Sequence, residues 1–285
     1  MAEIHSPLRY PGGKAKLYHT IKPIVEKTIG RGTYIEPFAG GSGLALALLM
    51  NNDVSRIVIN DIDYCIYCFW YSCIYLTDEL CEKIEECTVD IATWIFQKDI
   101  YMNPYEATVL EVGFATFFLN RCNVSGVIQG GPIGGQEQTG TYKIDARFNK
   151  RNLITRIRKI ELYRNRIEIY NFDANLFMQL ILPQYPKEST LINIDPPYVK
   201  KGPLLYENAF VEVDHWNLAK NIGELSYKWI VTYDECQLIY DIYKEYPKEV
   251  ITLRYSAGQT KKGSELLVYS NSVYNQLIED VKALG

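Results

Sequence analysis

The sequence predicts an α/β fold: a Rossmann-like, largely parallel sheet interrupted by a mainly helical insert of about a hundred residues. Short apolar runs with strand character lie at both ends of the chain, and residues 63–165 between them carry the helical period. One early run enters a glycine turn followed by a helix. That order is how such sheets bring backbone close to a nucleotide-like ligand. A later run, Thr190-Leu191-Ile192-Asn193-Ile194, stops at Asp195-Pro196-Pro197-Tyr198. Ligands collect at the carboxyl ends of strands in open sheets, so chemistry is expected there.

The elements follow in order. Thr33 to Phe38 reads as a strand, Ala39-Gly40-Gly41-Ser42-Gly43 as the turn, and Leu44 to Met50 as the helix. Arg56 to Asn60 reads as a second strand ending on Asp61, where an acid can accept both hydroxyls of a ribose. The spacing is not the dinucleotide GxGxxG, and no GK[ST] follows for phosphates. Within the insert, Tyr64–Leu76 and Ala107–Leu119 are aromatic-rich helices. The strand pattern returns at 167–170, 190–194, 228–232, 249–254 and 266–269. Residues 1–62 and 166–285 therefore form one unit, with 63–165 set into it. No internal repeat or low-complexity linker divides the chain further.

In Asp195-Pro196-Pro197-Tyr198, two prolines fix their own φ and restrict the residue before each, so the carbonyls of Asp195 and Pro196 point in set directions. A flat, amine-bearing ring has a surface to lie on in Tyr198 and acceptors in Asp195 and the Pro196 carbonyl. A plain strand-ending turn would use the same residue types. The upstream glycine turn and Asp61 weigh against that reading.

Charge is distributed unevenly. Thirty Lys and Arg against 34 Asp and Glu give a net charge of −4, which argues against indiscriminate nucleic-acid binding. Yet residues 143–166 hold nine Lys or Arg, among them Lys143, Arg147, Lys150 and Arg151, against Asp145 and Glu161. Such an excess suits phosphates. Residues 78–90 are acidic and read as a solvated helix face. No segment is long and apolar enough to span a membrane. Seven cysteines, an odd number, with no signal-peptide pattern at Met1–Pro7 lead to reduced thiols in a cytoplasm. Cys65 and Cys68 share a helix face without a second ligand pair, so core cysteines are expected and no metal site.

The stretch Ser125 to Gly140 carries six glycines and few bulky side chains, so it cannot build a core of its own. Loops of this length are functional or mobile.

Arg9-Tyr10-Pro11-Gly12-Gly13-Lys14, Glu36-Pro37-Phe38-Ala39-Gly40-Gly41-Ser42-Gly43, Asn60-Asp61, Leu119-Asn120-Arg121, Asp195-Pro196-Pro197-Tyr198 and Lys261 to Leu267 occur in one chain. In these motifs and their order it resembles the Dam-like, D12 class of DNA adenine-N6 methyltransferases. The resemblance implies a Rossmann-like, S-adenosylmethionine-dependent sheet with an inserted target-recognition domain carrying a Gly-rich hairpin. It implies that Asp195, Pro196, Pro197 and Tyr198 act on an adenine flipped out of double-stranded DNA. Tyr10, Lys14, Phe38, Ala39, Gly40, Gly41, Gly43, Asp61, Phe172, Asp173 and Asp195 would border the cofactor. Lys14, at a helix start beside glycines, would suit the cofactor's carboxylate. Asn120, Arg121, Asn123, Ser125 and Gln129, with the basic residues 143–151, would meet the DNA. Gln129 stands where GATC-type relatives carry an arginine, which puts a GATC target in doubt. Alternative readings are a cytosine-N4 enzyme and a catalytically silent DNA-binding module. A cognate restriction endonuclease is a candidate partner, and a monomer is the default.

Overall fold

A computed structural model of the protein describes residues 5–9, 14–199, 210–257 and 259–283. Strands β1 (Thr33–Glu36), β2 (Arg56–Asn60), β3 (Ile167–Tyr170), β4 (Thr190–Ile194), β5 (Lys228–Asp234), β6 (Lys248–Ala257) and β7 (Gln259–Tyr269) form one sheet. Their order is β3-β2-β1-β4-β5-β7-β6. The pairs β1–β2, β2–β3, β1–β4 and β4–β5 are parallel, and β7 runs antiparallel to β5 and β6. Strand order reverses between β1 and β4, where Ile35 lies beside Ile192. The glycine turn after β1 and the prolines after β4 thus flank the switch point of the sheet.

Alternation along each strand feeds two cores. Tyr34, Ile57, Ile59, Leu191, Ile230 and Leu267 face one side, and Ile35, Val58, Ile192, Ile194, Val231, Leu266 and Val268 the other. The first side is covered by α1 (Tyr18–Thr28), α2 (Gly43–Met50) and the insert. The second is covered by α8 (Ala174–Leu180), α9 (Glu212–Gly223) and α10 (Gln237–Ile242). A last helix, α11, spans Asn271–Ala283. Two strands differ from expectation. β1 stops at Glu36, because Pro37 has no N–H to donate. The last two strands are far longer than 249–254 and 266–269, because they pair as one hairpin from Lys248 to Tyr269.

The insert contributes α3 (Tyr64–Tyr75), α4 (Thr77–Glu86), α5 (Ile91–Met102), α6 (Val109–Cys122) and α7 (Lys150–Glu161). Side chains of Asp63, Asp90 and Asn149 cap α3, α5 and α7, and Thr108 with Glu111 forms a capping box on α6. Helices α3 and α6 approach closely at Gly113, where a Cβ would fall 2.6 Å from the Cys68 carbonyl oxygen. Apolar residues of these helices join those of the sheet in one continuous core. Cys65, Cys68 and Cys73 belong to it, and burial pushes the Cys68 thiol up to about 11. All seven cysteines are free, and among the described residues no three His, Cys, Asp or Glu converge as a metal site. Tyr64, Tyr67, Tyr71 and Tyr75 line another face of α3, neighbouring rings 5.0–6.2 Å apart.

The Gly-rich segment expected as a hairpin is an irregular loop with a single antiparallel bridge, Asn123 to Pro132. Side-chain bonds replace a ladder. The Asn123 amide donates to the carbonyls of Val127, Ile128 and Gly130 at 2.6–3.1 Å, holding the tip around itself.

Candidate active site

Asp195 leaves the end of β4 with its carboxylate at the edge of the switch point. Oδ1 accepts a hydrogen bond from the Thr232 hydroxyl of β5 at 2.9 Å and lies 3.2 Å from the Lys14 ammonium. Lys14 opens a 3-10 turn (Lys14–Leu17) packed under α2, where Gly43 lets Ala15 approach to 3.2 Å of a would-be Cβ. The same ammonium donates to Glu265 Oε2 at 2.7 Å and sits 4.4 Å from the centre of the Tyr198 ring. Lys14 and Glu265 are both buried. The Tyr198 hydroxyl is buried and makes no hydrogen bond among the described residues. The turn beyond it is held by Asp234, whose Oδ1 accepts the Val199 N–H at 3.0 Å.

Burial pushes the Asp195 carboxyl up to about 6. Lys14 opposes the shift, Glu265 adds to it and the Thr232 bond opposes it. Glu36, at the end of β1 beneath the site, is pushed up to about 8 by burial and then by the charge of Asp195. Two carboxyls close together thus hold their protons unequally, and Asp195 ionises first.

The glycine turn lies beside this pair. Gly40 has φ +44° and Ser42 +42°, so the chain doubles back through left-handed backbone before entering α2. Ala39 N–H bonds the Asn60 carbonyl at 2.9 Å, and the Trp70 indole of α3 donates to the Gly40 carbonyl at 2.8 Å. Gly40 N–H donates to Asp61 Oδ2 at 2.7 Å, and Asp63 N–H to Asp61 Oδ1 at 3.0 Å. Even so, burial and then Asp63 push the Asp61 carboxyl up to about 7. It is an under-solvated acceptor, the chemistry a pair of hydroxyls satisfies. Asn60, fully buried, ties the strand ends together by donating to Pro37 O and Phe172 O at 2.9 and 3.0 Å. Phe38 and Phe172 are half-buried on either side. Asp173 is exposed and caps α8 through the N–H groups of Asn175 and Leu176.

The family model for D12 class N6 adenine-specific DNA methyltransferases matches residues 10–256. The chain belongs to that class. It is an adenine-specific DNA methyltransferase. A solved Pyrococcus horikoshii structure described as a candidate RNA methyltransferase is similar over 92% of this chain and 84% of its own, at 8% identity and a TM-score of 0.41. No curated protein matches the sequence.

On the insert side of the methyltransferase, the residues expected at DNA divide into two kinds. Asn120 and Asn123 are fully buried. Asn120 accepts from Arg9 N–H at 2.7 Å and donates to the carbonyls of Arg9 and Gly126 at 3.1 and 2.8 Å. Asn123, besides its three carbonyls, accepts the Trp94 indole N–H at 2.7 Å. Both amides are spent on shaping the loop. Ser125 and Gln129, by contrast, are exposed at its tip, with Ser125 at φ +58°.

Arg121 donates to the Arg147 carbonyl at 2.8 Å and to the Pro7 carbonyl at 3.4 Å. Arg9 and Arg156 likewise spend guanidinium hydrogens on backbone, at Asn123 O and Ser6 O. Burial and then the like charges of Arg9 and Arg156 pull the Arg121 guanidinium down to about 10. Arg147 is exposed, above the Tyr142 ring at 5.9 Å. Lys143 and Lys150 donate to the carbonyls of Gln138 and Glu85, and Arg151 is exposed.

The remaining expected positions are plainly placed. Ala39, Gly40, Gly41 and Pro196 are buried at the carboxyl edge of the parallel strands, and Pro197 is half-buried. Lys14 faces Asp195 and Glu265 with its ammonium, and Tyr10 lies outside the described residues. Four residues at the site carried no assigned role in the sequence reading: Asn60, Thr232, Asp234 and Glu265. A polar residue in a mainly apolar strand is the signal shared by Asn60, Thr232 and Asp234, whereas Glu265 follows a polar run.

Proposed function

We propose that this methyltransferase acts on the N6 amine of an adenine swung out of duplex DNA, with S-adenosylmethionine as methyl donor. The observation that carries the reading is the shared placement of the Asp195 carboxylate and the Tyr198 ring at the end of β4, beside the Gly40–Asp61 cradle. Asp61 would take the ribose hydroxyls, the turn Phe38–Gly43 would lie under the donor, and Phe172 and Asp173 would border its adenine. When bound, S-adenosylmethionine supplies an electrophilic methyl group on a positively charged sulfur.

The exocyclic amine of adenine is a weak nucleophile because its lone pair is delocalised into the ring. Within a duplex it is also stacked, so flipping costs a few kcal/mol. Tyr198 offsets part of that by stacking on the extruded base, worth roughly 1–3 kcal/mol. Asp195 and the Pro196 carbonyl accept hydrogen bonds from the amine hydrogens. Their acceptance strengthens as nitrogen gains positive charge, so it favours the transition state over the bound base. Asp195 then holds the departing proton before solvent takes it. Thr232 fixes the carboxylate's orientation throughout.

Gln129 and Ser125 at the loop tip are the candidates for base reading, with Arg147 and Arg151 for phosphates. Residues 63–165 act as the target-recognition region. The enzyme works as a monomer in the cytoplasm, alone or beside a restriction endonuclease that reads the same site.

The test is to express the chain in a methylation-deficient host and sequence the genome with single-molecule kinetic detection. N6-methyladenine confined to one short motif is the expected result. N4-methylcytosine would move the substrate, and an unmarked genome would refute the reading.

A further inference from the structure

The ammonium of Lys14 stands where the target base has to go. A base stacked on Tyr198 with its amine at Asp195 needs the ring face and the carboxylate. Lys14 Nζ lies 4.4 Å from that ring centre and 3.2 Å from that carboxylate. The same nitrogen is 2.7 Å from Glu265, a second buried carboxylate reached without leaving the site. We propose that Lys14 is a place-holder for the adenine amine and that Glu265 is the positioning residue to which it withdraws when the base enters. The proposal rests on the adenine-flipping reading above.

Three physical points support the exchange. A buried cation cannot simply let go of its counter-ion, because an unpaired buried charge is strongly unfavourable. Glu265 removes that obstacle by keeping the ammonium paired in both positions. Asp195 in turn remains neutralised while the pocket is without a base, and becomes an available acceptor as the amine arrives. Finally, Lys14 stands five residues beyond Arg9, whose backbone N–H is clamped at 2.7 Å by Asn120, near the end of α6 and next to the Gly-rich loop. Gly126 approaches Arg9 so closely that a Cβ there would fall 2.0 Å from its carbonyl oxygen. A shift of the Gly-rich loop would thus act on Arg9, five residues before Lys14.

The topology explains why Glu265 is available. Strand β7 is antiparallel, so its N-terminal half reaches the edge at which the parallel strands end. There Glu265 lies opposite Asp234 of β5.

The experiment uses the full-length enzyme and duplexes carrying the motif found by genome sequencing, with 2-aminopurine at the target position to report flipping. Glu265→Gln should lower kcat/KM at least tenfold and reduce the 2-aminopurine signal, with S-adenosylmethionine affinity within twofold of wild type. Glu265→Asp should restore most of both. Adding Lys14→Gln to Glu265→Gln should recover the flipping signal, because the stranded cation is gone. A single variant with wild-type flipping, or a double variant no better than the single, would overturn the gate alone. A wild-type enzyme that marks no adenine would overturn the adenine reading and the gate with it.

Discussion

Asn60 and Phe172 exchange two hydrogen bonds, Phe172 N–H to Asn60 Oδ1 at 2.9 Å and Asn60 Nδ2 to Phe172 O at 3.0 Å. A side chain here does what a strand residue would do. It prolongs the pairing of β2 and β3 beyond the last ladder bond and, through Pro37 O, draws in the end of β1. The amide thereby ties together the strand ends that carry the cradle between Gly40 and Asp61.

Asn60→Leu should therefore cost about 2–4 kcal/mol, since it leaves buried carbonyls at Pro37 and Phe172 and the Phe172 N–H without a partner. Cofactor affinity should fall with it. Urea unfolding and titration calorimetry measure the two effects, and a variant that keeps both within error would show that the strand ends are held otherwise.

Asp195→Ala should abolish methyl transfer while DNA and cofactor still bind. In the native enzyme the carboxylate must be ionised to accept the amine. With its carboxyl held at about 6, kcat/KM should rise with pH through that region and level off above it. A rate independent of pH between 5 and 7.5, with chemistry limiting, would remove Asp195 from the proton-dependent step.

Stability should follow the opposite course. Asp195, Asp61 and Glu36 are raised to about 6, 7 and 8, above the ordinary carboxyl value of about 4. Groups that bind protons more tightly when folded stabilise the fold while protonated. That contribution is complete below about pH 4 and is lost as pH rises through 6 to 8. The unfolding free energy of the ligand-free protein should therefore decline between pH 5 and 8.5. Glu36→Gln should flatten the upper part of the decline. Because hydroxyl donors favour ionised Asp61, S-adenosylmethionine binding at pH 7 should also release a fraction of a proton. Calorimetry in buffers of different ionisation enthalpy detects it.

Loop substitutions should separate structure from specificity. Asn120→Ala removes three bonds to Arg9 and Gly126 and should lower both stability and activity on every sequence. Gln129→Ala should leave the melting temperature unchanged and relax the base preference at one position, by about 1–3 kcal/mol. Arg147→Ala should weaken all DNA equally and reduce the salt slope by about one. An unaltered methylation profile in Gln129→Ala would move base reading elsewhere in the insert.

Much of the candidate site was legible because it depends on local chemistry. Prolines after an apolar run, glycines after a strand and an acid at a strand end announce their backbone shapes within a few residues. What escaped depends on pairing between distant segments. Glu265 lies in a motif of the resemblance, but its place beside Lys14 shows only once β7 is known to run antiparallel to β5. Asn120 and Asn123 have the composition of DNA-reading residues, and only packing shows that backbone groups claim their amides. Likewise a glycine-rich stretch predicts a loop but not its internal bonds, so a hairpin was expected where a single bridge forms. The motif and helix start that single out Lys14 reveal nothing of a carboxylate 251 positions downstream.

That separation bears on synthesis. Lys14 leaves the ribosome early, but its partner in β7 follows only after almost all of the chain. Until then Lys14 lacks the carboxylate that it meets at 2.7 Å in the folded sheet. A nascent or prematurely terminated chain thus carries Asp195 to Tyr198 without the strand that completes their surroundings. The surroundings of Asp195, Tyr198 and Lys14 are therefore complete only once β7 has paired with β5.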